Sequence, residues 1–334
     1  MKKEEVTRCQ IHEWYPIFKH VSIKTIIHEL PESFVQYLLD DGPFVLPQSV
    51  YGEDALPRRI NYPEEEDDYQ VSEGSGDESE QPPEPPCFKD LELKIKDSIQ
   101  ILGGVVFPKL NWSAPKDSAW IATTGTIQCT SFSEITLLLR SSESLVHDLN
   151  HAFDSCVDKS SSRPPKFFLA LKKWYSSLRP EMEFRCFVRH KLLVAISQRE
   201  ITSFYPTLLE KKDSLQMLIQ DFFAENVREG FESNNYTFDV YVTRDGRVKL
   251  FDFNPWGAFT LPLMFSWEEL ENLEKGENTM AFKIVDKQCA VRPGLKTAVP
   301  YDYLDTGPGS GWDEVLRKAE EELRRQFQDS EASA

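Results

Sequence analysis

The stretch Tyr236–Gly257, YTFDVYVTRDGRVKLFDFNPWG, encodes both a hairpin and a candidate binding face. Two runs rich in Val, Phe and Tyr flank Asp245-Gly246, a pair favoured where both central residues of a two-residue turn need positive φ. The spacing predicts a β-hairpin in which Arg244 faces Arg247 and, stepping outward, Asp239 falls directly opposite Asp252. Opposed residues of an antiparallel pair have Cβ atoms roughly 4.5–5.5 Å apart, where like charges repel. Something has to compensate.

Period-two alternation assigns Phe238, Val240, Val242, Phe251 and Phe253 to a core face, and Asp239, Tyr241, Leu250, Asp252 and Asn254 to the opposite one. The second face carries two carboxylates and an amide oxygen, hard donors of the kind Mg²⁺ accepts beside waters and substrate phosphates. A solvated strand face on which two aspartates align is the structural alternative. Against it, Asp is depleted in strands, and the register puts no Lys or Arg directly opposite either one.

Upstream, EFRCFVRHKLLVAISQR at 183–199 reads as a second hairpin. Phe184, Cys186, Val188, Leu192, Val194 and Ile196 are uniformly apolar, which requires a three-residue turn at Arg189–Lys191. The other face holds Glu183, Arg185, Ser197 and Arg199, either a salt-bridge ladder or a guanidinium clamp for phosphates. A helix from about Leu208 to Phe223 links the hairpins.

Further towards the N-terminus, Lys166–Tyr175 is an apolar strand ending in Lys172, Lys173 and Trp174, whose backbone could pair with a planar base. Val105–Lys109 is a short β-branched run that leads into Asn111, Trp112, Ser113 and Ala114. A Lys at a strand end followed by a turn-rich loop has the ingredients of a phosphate-binding corner. It lacks the glycines of a Walker loop, and an ordinary surface loop is the alternative. Helices are expected at 88–102, ended by Gly103, within 132–154, and after Ser266 in a capping box. A strand at Ser22–Ile27 and a helix after Pro31 organise the N-terminal part, with Trp14 and Phe18 expected in the core.

With 334 residues, the chain is long enough for about two domains. Its formal net charge is −17, yet residues 61–86 hold ten acids and no Lys or Arg, leaving −7 for the rest. So acidic a protein is a poor candidate for general nucleic-acid binding. No apolar run is long enough to span a membrane. Six cysteines without metal-ligand or paired spacing fit a reducing, cytoplasmic compartment. Residues 51–86 lose all periodicity and are expected to form a disordered acidic insertion. Trp312, Val315, Leu316, Ala319, Leu323 and Phe327 form an amphipathic stripe in a C-terminal extension at 286–334.

The strings FPKLNWSAPKDSAWI, LKKW at 171–174, EFRCFV, ISQRE, FDVY and KLFDFNPWG resemble, in order, the cell division cycle protein 123 family, assembly chaperones of eukaryotic translation initiation factor 2. The resemblance implies an α+β, ATP-grasp-like fold in which two lobes with antiparallel sheets enclose a nucleotide cleft. The implied N-terminal lobe is 1–50 with 87–165, and the C-terminal lobe is 166–285. It further implies ATP and Mg²⁺ as cofactors. Lys109 and the Asn111–Ala114 loop would contact the triphosphate, and Lys172, Lys173 and Trp174 would meet the adenine. Glu183 would lie with the nucleotide, and Arg185 and Arg199 would neutralise phosphate charge. Asp239, Asp252 and Asn254 would hold Mg²⁺.

The implied partner is the γ subunit of the initiation factor, bound by a monomer, in support of translation initiation and cell-cycle progression. A departure is Ala258, where animal members commonly carry Glu, which removes an acidic contact at that point. The rival reading is an ATP-grasp ligase that activates a carboxylate as an acyl phosphate. It would use the same phosphate and metal residues and would also need an acceptor pocket.

Overall fold

The computed structural model describes residues 1–42, 44–48, 85–158, 162–257, 260–273 and 280–287. The expected acidic insertion at 51–86 lies, but for its last two residues, outside the described residues, as do Ala258 and the amphipathic stripe of the C-terminal extension.

Two short helices, α1 (Lys3–Arg8) and α2 (Ile11–Phe18), precede β1 (Thr25–Glu29) and α3 (Glu32–Leu39). Next come α4 (Lys89–Leu102), β2 (Val106–Lys109), α5 (Phe132–Arg140), α6 (Glu143–Asn150) and β3 (Phe168–Lys173). Gly103 ends α4 at φ 99°, and its N–H caps the carbonyl of Gln100, a left-handed position that costs glycine no steric penalty. The three strands form an antiparallel sheet in the order β1-β3-β2. Helices α3 to α6 cover one face, burying Phe34, Ile95, Ile135 and Leu138 against Leu169 and Leu171.

Strand β3, expected to open the second lobe, is therefore the central strand of the first sheet. Its other face puts Ala170 into a second core. Burial on both faces explains why FLAL reads as an unbroken apolar run rather than an alternating one.

The second sheet is built from β4 (Glu183–Arg189), β5 (Leu192–Gln198), β6 (Tyr236–Val242), β7 (Val248–Pro255) and β8 (Ala281–Lys283), in the order β7-β6-β4-β5-β8. All pairs are antiparallel except β5 with β8. Helix α7 (Pro206–Phe222) runs into a π-helical turn at Phe223–Val227 and packs on this sheet. Helix α8 (Trp267–Asn272) starts as expected, with Ser266 Oγ accepting from Glu269 N at 3.0 Å. The N-terminal α1–α2 segment, expected within the first lobe, packs here instead. Trp14 and Phe18 lie against Phe253, with ring centroids 5.4 and 5.1 Å apart. The α+β class, with two sheets flanking a cleft that are antiparallel but for the β5–β8 pair, matches the expectation.

Both hairpins depart from their expected turns. The β6–β7 tip is a three-residue loop, Arg244-Asp245-Gly246, closed by Thr243 N donating to Arg247 O at 2.9 Å, with Gly246 at φ 78°. Arg244 therefore does not face Arg247. A bulge then inserts Phe251 as an extra residue between the pairs Val240–Leu250 and Asp239–Asp252. The loop shifts the register by one and the bulge restores it. Asp239 does face Asp252, but Leu250 turns into the core at 0% exposure and Phe251 turns away from it.

The β4–β5 hairpin shows the converse. His190 and Lys191 form a two-residue turn with both φ positive, 51° and 62°, and an extra residue, Val194, follows in β5 between the pairs Val188–Leu193 and Phe187–Ala195. Leu192 consequently lies 49% exposed while Leu193 takes the core position. Neither turn residue is glycine. His190 N donates to Asn235 Oδ1 at 2.9 Å and Lys191 N to Asn234 O at 3.0 Å, and such tertiary bonds can hold a side chain-bearing residue at positive φ.

Candidate functional site

Between the sheets lies a cleft of about 650 Å³. Its polar floor comes from β4, β6 and β7 of the larger sheet and from Arg199, just past β5, and its opposite wall from β2, β3 and the loop after β2. At the centre is Asp239, 2% exposed. Arg185, its Cα partner on β4, donates Nε to Oδ1 and Nη2 to Oδ2, each at 2.8 Å, and Arg199 Nε reaches Oδ2 at 3.1 Å. An Arg does therefore sit opposite Asp239, on the strand that the hairpin register alone does not include. Burial pushes the Asp239 pKa up, but the two guanidinium groups outweigh it and hold the carboxyl well below the usual carboxylate range. Arg199 also lies 3.5 Å from Glu183, whose backbone carbonyl accepts Arg199 N at 3.0 Å.

Asp252 is served differently. Its Oδ2 accepts from Lys109 Nζ at 2.7 Å and its Oδ1 from Phe253 N at 3.0 Å. Lys109 is 3% exposed and also donates to the carbonyl of Trp112. The repulsion expected between the two aspartates is thus relieved by cations from β2, β4 and the end of β5. Two residues beyond Asp252, Asn254 lines the cleft with a buried amide nitrogen that has no hydrogen-bond partner among the described residues.

Lys172 reaches the cleft from β3 and donates to the carbonyl of Phe251 at 2.5 Å. Phe251 is the bulged residue, whose backbone the ladder leaves unpaired, so the bulge supplies the acceptor for a buried ammonium. Burial pushes the Lys172 pKa down to about 7, and the carboxylate of Asp252 offsets this only in part. Lys116, from the 3-10 turn at Lys116–Ile121, also lines the cleft. Repulsion from Arg199 and then desolvation push it down to about 8; its exposure at the mouth lets solvent screen part of that repulsion.

The loop residues expected to contact phosphate fall into two groups. Ser113, Ala114 and Trp112 line the cleft. The backbone N–H groups of Trp112 and Ser113 do not point into it, because Asp148 accepts them at 3.3 and 2.7 Å, together with Ser113 Oγ at 2.9 Å. Burial raises the Asp148 pKa to about 6 despite these bonds. Asn111 is buried away from the cleft, its Nδ2 donating to Gln10 Oε1 at 2.5 Å and to Lys166 O at 3.2 Å, and its Oδ1 accepting from Phe168 N at 2.8 Å.

Of the residues assigned to a base, Trp174 lines the cleft and packs edge-on against Phe107. Lys173 is not among the lining residues; its ammonium lies 5.5 Å over the ring of Tyr175. The backbone N–H of Lys173 donates to Lys24 O at 2.9 Å and that of Trp174 to Val105 O at 3.1 Å, so neither is free for a base. Phe107, Tyr175, Leu178 and Phe251 supply apolar walls that sequence reading did not assign. Phe251 had been placed in the core, and Asp148 and Lys116 were also missed. Lys116 lies two residues past Ala114 in the same loop, a signal that could have found it.

The cleft lines up Lys109, Lys116, Lys172, Arg185 and Arg199 against Glu183, Asp239 and Asp252. A formal cationic excess of two in an otherwise acidic protein suits a polyanion. Two carboxylates and the Asn254 amide on one face suit Mg²⁺ carried by phosphates. No group of three or more His, Cys, Asp or Glu side chains is clustered to hold a metal alone among the described residues. The five described cysteines are free, and no described helix is long and apolar enough to cross a membrane.

A family model described as D123 matches residues 14–307. Translation initiation factor eIF2 assembly protein of Xenopus laevis is 37% identical over 342 aligned positions, covering 99% of this chain and 100% of that one. Cell division cycle protein 123 of Aspergillus terreus is 40% identical over 276 positions, covering 79% of this chain and 62% of that one. The structure of Cdc123 from Schizosaccharomyces pombe aligns with a TM-score of 0.69 at 34% identity, covering 86% of this chain and 99% of that one.

Proposed function

Because the chain belongs to the D123 family, we propose that it is an assembly factor for eukaryotic translation initiation factor 2 and that it binds Mg-ATP in the cleft between its sheets. The role in assembly follows the names of its relatives. The nucleotide reading rests on one observation: Asp239, Asp252 and Asn254 share a face inside a cleft with a cationic excess. In this reading Asp239, Asp252 and Asn254 hold Mg²⁺, which when bound neutralises phosphate charge. Lys109, Lys116, Arg185 and Arg199 bind the phosphates, Asp148 orients the Trp112–Ser113 loop, and Phe107, Trp174 and Phe251 enclose the base.

The proposed partner is the γ subunit, engaged in the cytoplasm by a monomer. Cleft closure on the nucleotide would bias the relative orientation of the two sheets and so the surface offered to that subunit, provided the nucleotide binds the closed arrangement better than the open one.

Calorimetric titration of Mg-ATP into the full chain tests the site. Saturable heat that is lost or strongly weakened in a folded Asp252→Asn variant supports it, and absence of heat in the well-folded parent overturns it. Co-purification of the chain with isolated γ subunit, with and without Mg-ATP, tests the partner and its dependence on the nucleotide.

A further inference from the structure

On the far side of Phe251 lies a second cavity, of about 690 Å³, which shares Tyr175, Leu178 and Phe251 with the nucleotide cleft. Its rim is basic. Lys19 and Lys24 come from the segment between α2 and β1, and Arg244, Arg247 and Lys249 from the tip of the β6–β7 hairpin. Lys24 donates to the carbonyl of Ile101 at 3.1 Å and Arg247 pairs with Asp245 at 2.6 Å. The side chains of Lys19, Arg244 and Lys249 have no hydrogen-bond or ion-pair partner among the described residues. Gathering like charges without partners is unfavourable on its own, and here it runs against a formal net charge of −17.

The surroundings narrow the kind of anion this rim suits. Tyr241 stacks on Phe251 with ring centroids 5.7 Å apart and planes 14° apart, and the Lys173 ammonium lies over Tyr175. One face each of Phe251 and Tyr175 is thus already engaged, which leaves less aromatic surface on this side for nucleobases to stack on. The cations arise from two chain segments rather than from one converging fork, an arrangement that suits successive carboxylates. We infer that this groove docks an acidic peptide segment of a protein partner, independently of the nucleotide.

Fluorescence anisotropy of a short labelled glutamate-rich peptide, titrated with the full chain, tests this. Saturable binding is expected to weaken about tenfold or more as salt is raised. A similar loss is expected in the triple variant Lys19→Glu, Arg244→Glu, Lys249→Glu, with its thermal midpoint unchanged. If the triple variant does not fold, the single reversals Lys19→Glu and Lys249→Glu give the same readout. Absence of binding, or binding indifferent to the charge reversals, overturns the inference. So does tighter binding of a single-stranded RNA of matched charge, and so does binding that appears only in a chain lacking residues 61–86, which would assign the groove to that stretch. Mg-ATP is left out of the titration, so failure of the nucleotide reading does not alter the result.

Discussion

Asp239 and Asp252 are Cα partners across β6 and β7, yet each is neutralised from a different part of the chain, Asp239 by Arg185 on β4 and Asp252 by Lys109 on β2. The two pairs differ in burial, with Asp239 at 3% side-chain exposure and Asp252 at 18%. Removing Asp239 leaves two arginines in the cleft without their main counter-charge. Asp239→Ala is expected to lose about 3–5 kcal/mol of stability, and Asp252→Ala about 1–3 kcal/mol, read from urea denaturation without nucleotide. Equal losses would contradict this account. The contrast also makes Asp252, rather than Asp239, the cleaner position for testing nucleotide binding.

Lys172 gives the cleft a pH dependence. Its folded-state pKa of about 7 lies below the ordinary 10.5, so the folded chain binds fewer protons than the unfolded chain between those values. Stability contributed by this residue therefore rises with pH from about 7 towards 10.5 and is lowest below 7. A phosphate group brought near the ammonium favours its charged form. Mg-ATP binding should take up protons near pH 7.5, measurable by calorimetry in buffers of different ionisation enthalpy, and Lys172→Met should reduce that uptake.

Asn111 separates scaffold from site. With three hydrogen bonds tying α2 and β3 to the loop after β2, Asn111→Ala is expected to cost about 2–4 kcal/mol. Because its side chain does not reach the cleft, the Mg-ATP affinity of the folded variant should change little. A large affinity loss at unchanged stability would restore a phosphate-contacting role.

Asp148 has the opposite profile. Asp148→Asn replaces an acceptor with an amide whose nitrogen faces the donors of Trp112 or Ser113, and about 1–3 kcal/mol should be lost. Mg-ATP affinity should fall as well, since these bonds set the course of the loop along the cleft. Thermal melts with and without Mg-ATP distinguish the two effects: the midpoint drops in both, and the nucleotide-dependent shift shrinks.

At the hairpin tip, Gly246 has φ 78° and open space where a Cβ would stand. Gly246→Ala is therefore a conformational penalty alone, about 1 kcal/mol, seen as a lower denaturation midpoint with unchanged Mg-ATP binding.

Sequence periodicity located the facing aspartates through two departures that cancel. A two-residue turn was expected, a three-residue loop formed, and the Phe251 bulge returned the strands to the expected register. Burial of Phe238 and Phe253 decides parity at the inner end of the hairpin. Between turn and bulge nothing in the pattern marks the slip, so Leu250 and Phe251 were assigned to the wrong faces. The same holds for Leu192 and Leu193. Pairings that depend on tertiary approach left no local trace: Lys109 with Asp252, 143 positions apart, and Ser113 with Asp148, 35 positions apart. Charged residues were legible as an inventory, and their partners were not.

Lys109 ties the end of β2, in the smaller sheet, to β7, in the larger one, through an ion pair whose lysine is buried and whose aspartate is partly exposed. When the cleft holds no guest, this pair acts as a clasp between the two halves of the molecule. A guest bearing phosphate and metal would claim the ammonium and the carboxylate separately, exchanging one internal bond for two external ones. The protein can thus stay folded with the cleft vacant, and nucleotide concentration would set how firmly its halves are coupled rather than whether the chain is folded.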